Sequence, residues 1–189
     1  MSWRNIETLP ARRFRCGYCG ADVAGDKAYR NTTVQRVIYA CPLCDAPNYF
    51  DQAGTQVPGP APGNDVASVP SDLNDLYREA RRCCTISAFT SSVLACRKML
   101  MNIAVAQGDQ PGKTFVQYVD YLANAGYVPP NGRGWVDHIR RKGNEATHEI
   151  HVMTRADAEE LISFVEMLLK FIYEFPARVP PAPAVAATP

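Results

Sequence analysis

The sequence predicts a mainly α-helical protein, a bundle of about five helices preceded by a small β ribbon held by four cysteines. Three observations carry this. Two Cys-x-x-Cys pairs, Cys16–Cys19 and Cys41–Cys44, stand near the start of the chain. A Pro/Gly-rich stretch follows at 52–70. Beyond it, apolar residues recur at helical spacing to about residue 175.

Each cysteine pair is a turn short enough to aim both sulfurs at one point, and four thiolates at this spacing match a tetrahedral structural zinc site. Gly17, Gly20 and Pro42 suit such turns. Val34 to Ala40 alternates enough to be a strand of the ribbon. All four candidate ligands are sulfur, so no coordination position is left for water, and the expected role of one zinc ion is to fold residues 1–51 rather than to catalyse. The rival readings are disulfides, which need an oxidising compartment, and unrelated thiols.

Residues 52–70 are expected to be a linker. The helical domain should occupy 71–175. Ser71 is a plausible N-cap with Asp72 in the first turn, and Leu73, Leu76, Tyr77, Ala80 and Cys84 follow helical spacing. A second helix is predicted from about Ser87 to Ala106, stopped by Gly108, and a third from Thr114 to Asn124, ending at Gly126. Pro129 to Gly132 reads as a loop, and Trp135 to about His151 as a fourth helix with Gly143 as its weak point. Thr154 and Asp157 form a capping pair for the last helix, whose wide apolar face runs from Leu161 to Phe175. Such width suits a central helix or one shared with a second subunit. The tail 176–189 is rich in Pro and Ala and is expected to be disordered.

Twenty Lys and Arg balance 19 Asp and Glu, a net charge of +1 that argues against bulk attraction to nucleic acid or membrane but leaves room for a local basic patch. The first ten residues lack the apolar core of a signal peptide. No apolar run reaches the roughly 20 residues needed to span a bilayer. The expected location is therefore cytoplasmic, with no membrane contact. No Gly-rich phosphate cradle points to a nucleotide cofactor. Cys83, Cys84 and Cys96 fall in apolar helical patterns and are expected to be buried, reduced thiols.

The densest polar cluster is Arg140 to His148. On an unbroken helix Arg141 and His148 share a face about 10 Å apart along the axis, with Asn144 and Glu145 between them. A histidine near neutral pKa exchanges protons, a guanidinium holds a phosphate, and Asn144 can orient either. Those parts suit cleavage of a phosphodiester by the RNA 2′-hydroxyl, with a cyclic phosphate as product and no metal required. A symmetric dimer would bring two copies into one composite site. The same residues admit a purely structural reading. Arg140, Arg141 and Lys142 would then complement the negative end of a helix that stops at Gly143, and Asn144 would cap the next. His148 and His151 as a metal pair are a weaker alternative, and His138, one turn before Arg141, is expected to be part of the surface.

Three stretches, Leu76 to Cys83, Arg97 to Leu100 and Ile139 to His148, resemble the bacterial domain of unknown function 4145 family over roughly residues 70–175. Members of that family often carry an N-terminal zinc ribbon. The family in turn resembles the HEPN superfamily (higher eukaryotes and prokaryotes nucleotide-binding), α-helical bundles that are commonly dimeric. Many of these are metal-independent ribonucleases of toxin–antitoxin and phage-defence systems. The resemblance implies that Arg141 binds the phosphate and that His148 acts as acid or base. Lys142 stands where Asn, Asp or His is more usual, and Glu79 matches a family position from which pairing with a helix-four arginine is the expected role.

Two functions follow as expectations. One is a homodimeric RNA-binding or RNA-cleaving protein. The other is a non-catalytic dimeric adaptor whose ribbon binds protein or nucleic acid through a mixed basic and aromatic surface that includes Arg15 and Tyr18.

Overall fold

The computed structural model describes residues 3–129, 133–148 and 152–179, with the backbone alone at 133 and 142–148. The expected loop at 129–132, the continuation of the fourth helix to His151 and the tail beyond 179 lie partly or wholly outside the described residues.

Five antiparallel strands form a simple meander: β1 (Glu7–Arg15), β2 (Asp22–Asn31), β3 (Arg36–Ala40), β4 (Pro47–Phe50) and β5 (Gln56–Val57). Pro10 lies where the β1–β2 register slips between Thr8 and Arg12, a position that tolerates a residue without an amide N–H. The inner face buries Phe14, Ala28, Tyr39 and Phe50 beside Cys16 and Cys41. Phe50 meets Phe14 and Tyr39 edge-on at centroid distances of 5.4 and 5.9 Å. This aromatic cluster is small, so little apolar burial is available to hold the ribbon together.

The helical region comprises α1 (Ser71–Thr85), α2 (Phe89–Ala106), α3 (Phe115–Asn124), α4 (Arg133–His148) and α5 (Arg155–Leu169). A π-helical turn, Lys170–Glu174, and a short α6 (Phe175–Arg178) extend α5. α2 lies centrally and contacts α1, α3, α4 and α5. Val93, Met99, Leu100 and Ile103 of α2 are fully buried, as are Leu161, Ile162, Val165 and Leu168 of α5. Capping boxes start α3 (Thr114 with Gln117) and α5 (Thr154 with Asp157). At α1 the cap is Pro70, and the Ser71 hydroxyl bonds instead to Asp72 Oδ1 at 3.3 Å. Ser71 is already inside the helix, so it cannot serve as its cap. Cys84 and Cys96 are buried and Cys83 half-buried, and all seven cysteines are free thiols.

The connecting segment 52–70 is fastened to both regions. β5 pairs with β4, and Gly59 N donates to Thr85 O at 2.7 Å at the end of α1. Arg81 donates to the Pro62 and Gly63 carbonyls and pairs with Asp65. Asn64 gives two hydrogen bonds to the Glu166 carboxylate, and Ala67 N donates to Glu174. Val66 inserts into the helical core. Residues 59–67 therefore form a strap across α1, α5 and the π turn.

Candidate functional site

The two Cys-x-x-Cys turns repeat one backbone pattern. The amide of the first cysteine donates to the carbonyl five residues on, Cys16 to Ala21 and Cys41 to Ala46, each at 2.9 Å. The residue four positions on returns a bond, Gly20 N to Cys16 O and Asp45 N to Cys41 O, also at 2.9 Å. Gly20 and Asp45 both take positive φ, 72° and 59°. These matched knuckles, at the ends of β1 and β3, face each other across the sheet. Gly17 does not take positive φ; its value lies in contact. A Cβ built there would sit 2.1 Å from the Pro58 carbonyl oxygen, so only glycine lets the first knuckle lie against the strap.

Cys16, Cys19, Cys41 and Cys44 bring their sulfurs within 4.8 Å of one another. Cys16 Sγ is 3.7 Å from Cys44 Sγ, and Cys19 Sγ is 3.8 Å from Cys41 Sγ. A disulfide needs about 2 Å, whereas sulfurs placed about 2.3 Å from a central ion at tetrahedral corners stand about 3.8 Å apart. The cluster thus has the spacing of a four-sulfur zinc site and not of disulfides. Burial disfavours the Cys16 thiolate, but the Cys19 and Tyr18 amides and the Asn48 side chain outweigh it and bring the thiol down to about 7. At Cys44 burial and the three neighbouring sulfurs push the thiol up to about 12. Four thiols this close resist ionising together, and a divalent cation at their centre removes that conflict.

Asn48 was not legible as a site residue. It is wholly buried, accepts from Gly17 N at 2.9 Å and directs its amide toward Cys16 Sγ at 3.6 Å. The available signal was a lone carboxamide on the inward face of a strand, two residues before Phe50 and four after Cys44.

In the helical region, α4 runs without a break from Arg133 to His148 and passes through Gly143. Arg141, Asn144 and His148 therefore occupy helical positions three and seven apart on one face. The alternative in which the helix stops at Gly143 does not occur. Arg141 is exposed. The side chains of Lys142, Asn144, Glu145 and His148 lie outside the described residues. The neighbouring Arg140 is the arginine tied into the bundle, paired with Asp120 on α3 and with Asp137 at 2.7 Å. Hence its carboxylate partners are these aspartates and not Glu79, which lies on α1. His138 Nε2 meets Glu160 of α5 at 2.7 Å, an interhelical contact.

Gly59 joins the strap to Thr85, the last residue of α1. Met153 N donates to Thr90 Oγ1 in the first turn of α2 at 3.1 Å. Between the first knuckle and α1 runs a groove of about 1060 Å³, lined among others by Arg15, Tyr18, Arg78, Glu79, Arg82 and Ile86. No helix among the described residues is long and apolar enough to cross a membrane.

No curated protein and no solved structure matches the chain. The sequence pattern of a family described as "Domain of unknown function (DUF4145)" matches residues 78–184, from α1 through the cluster on α4 to beyond α6. That match spans more than half of the 189 residues, and the chain belongs to the DUF4145 family.

Proposed function

We propose that this chain is a zinc-bearing, RNA-handling protein of HEPN-like type. One structural zinc ion is held by Cys16, Cys19, Cys41 and Cys44, and a homodimer uses Arg141, Asn144 and His148 to cleave RNA. The observation that carries the catalytic half is the continuity of α4, which keeps these three residues on one face. In the proposed reaction the 2′-hydroxyl attacks the adjacent phosphorus. His148 of one subunit accepts the hydroxyl proton, and the second copy of His148 protonates the departing 5′-oxygen. Arg141 holds the phosphate oxygens as charge accumulates on them, and Asn144 orients the phosphate or the imidazole. The products are a cyclic 2′,3′-phosphate and a 5′-hydroxyl. The exposure of Arg141 supports this role, since an arginine consumed by an internal ion pair could not reach a substrate.

The test compares wild type with His148→Ala in a metal-free cleavage assay on total and transfer RNA, with product ends examined for cyclic phosphate. Cleavage by wild type alone is the expected result; equal cleavage by both proteins rules the site out. Sulfur spacing carries the zinc half. Metal analysis should find one zinc per chain, and Cys16→Ser should release it and unfold the ribbon.

A second reading is a non-catalytic dimeric adaptor that binds protein or nucleic acid through the ribbon. The groove beside the first knuckle favours it, because it mixes both charges with the exposed Tyr18 and Ile86, 60% and 63% accessible. Absence of cleavage by dimeric, zinc-loaded wild type would shift the weight to this reading.

A further inference from the structure

Beyond the four sulfurs, the ribbon contains a pair of carboxamides that bridge its parts. Asn48 Oδ1 accepts from Gly17 N at 2.9 Å, which fixes the orientation of the amide. Asn48 Nδ2 then faces Cys16 Sγ at 3.6 Å and Ala46 O at 3.1 Å. One buried side chain therefore grips the first knuckle at Cys16 and Gly17 and the second at its trailing residue. Gln56 Nε2 reaches Arg15 O at 2.8 Å, Asn48 Oδ1 at 3.1 Å and Pro58 O at 3.1 Å. Pro58 O is also the atom against which Gly17 packs, and the next residue, Gly59, bonds to Thr85 at the end of α1. A run of hydrogen bonds and one close contact thus leads from a ligand sulfur to the helical domain.

We propose that Asn48 is a positioning residue of the metal centre, orienting Cys16 Sγ and locking the two knuckles in register, and that Gln56, which touches no ligand sulfur, links this arrangement to the strap and α1. The physical basis is twofold. Sulfurs bound to a divalent ion carry excess negative charge that an N–H donor stabilises, and partners of this kind set ligand orientation and metal affinity. A buried carboxamide with its bonds satisfied is also highly directional, so the strands cannot shift register without losing several bonds at once. The inference rests on the four-sulfur metal reading and extends it.

The experiment uses the full chain with cobalt(II) as the probe. Absorption spectra report the ligand set, competition titration gives affinity, and hydrogen exchange follows the Gly59 amide. Wild type should show a four-thiolate spectrum. Asn48→Ala and Asn48→Asp should each weaken cobalt binding by about 10- to 100-fold. The isosteric Asp variant is decisive: it keeps an acceptor for Gly17 but turns a charged oxygen, not an N–H, toward Cys16. Gln56→Ala should leave affinity close to wild type and speed Gly59 exchange by about tenfold. If Asn48→Asp binds cobalt as wild type does, Asn48 merely fills space and its positioning role is overturned. Unchanged Gly59 exchange in Gln56→Ala overturns the transmission to α1. A wild-type chain that takes up no cobalt through four thiolates defeats the metal reading itself, an outcome spectroscopically distinct from the other two.

Discussion

Adjacent arginines on one helix point about 100° apart, and that difference separates Arg140 from Arg141. The first meets Asp120 across the α3–α4 contact; the second faces solvent. Sequence spacing singled out Arg141 but contained nothing about where Asp120 would lie. Glu166 was legible only as a charge interrupting an apolar helix. In the fold it is buried and accepts from Asn64, Tyr77 and Lys170. Burial opposes ionisation of its carboxyl, yet the bonds from Lys170 and Asn64 prevail and hold it below the usual glutamate range. A carboxyl so depressed adds stability above its unfolded pKa of about 4.3, and this is lost as pH falls through the lower folded value. Glu166→Gln should therefore cost about 2 kcal/mol at pH 7, a gap that narrows below about pH 4. Thermal denaturation of both proteins at pH 7 and pH 3 checks it, and an unchanged gap would contradict the assigned ion pair.

At the scale of elements, the cap of α5 was readable, whereas the expected Ser71 cap of α1 was not found. Thr154 and Asp157 bond reciprocally at the start of α5 as their spacing predicts, and Thr154→Ala should lower stability by about 1 kcal/mol, measurable by denaturant titration. The fourth helix was expected to run through Gly143, with a stop there as the alternative; it is unbroken, because glycine lowers helix stability by only about 1 kcal/mol, a penalty that neighbouring packing can outweigh. Trp135 packs edge-on to Phe164 at 4.9 Å and Ile139 is fully buried, which anchors the helix ahead of Gly143. The end of α5 was also hidden. The π turn at Lys170–Glu174 adds a residue to the helical repeat, which rotates the following stripe outward. Phe175, expected on the core face, is exposed, whereas Ile172, expected there too, still packs against the core.

For the whole molecule, the strap decides how the four-cysteine cluster and the helices are linked. Because Gly17 lies on Pro58 and Gly59 bonds to Thr85, removal of the proposed zinc should loosen more than the ribbon. A zinc chelator should lower the thermal midpoint and increase hydrogen exchange first at 16–21 and 41–46, then along 59–67, while the central residues of α2 stay protected. Simultaneous loss of protection throughout would instead make the two regions one cooperative unit. The small aromatic cluster of the ribbon makes dependence on metal the expected behaviour.

Local chemistry was enough to pair the four cysteines and to place the helical periods and the α5 cap, since each depends on residues a few positions apart. The sulfur cluster was legible for the same reason: a Cys-x-x-Cys turn preforms half a site, and only two halves had to meet. The role of Asn48, the fastening of 52–70 and the pairing of Arg140 depend chiefly on residues far apart in sequence, 31 positions for Asn48 and Gly17, 20 for Arg140 and Asp120 and 107 for Ala67 and Glu174. They emerged only when sheet register and helix packing brought those groups within hydrogen-bond range, because burial and directed bonding are properties of the folded neighbourhood and not of the local chain.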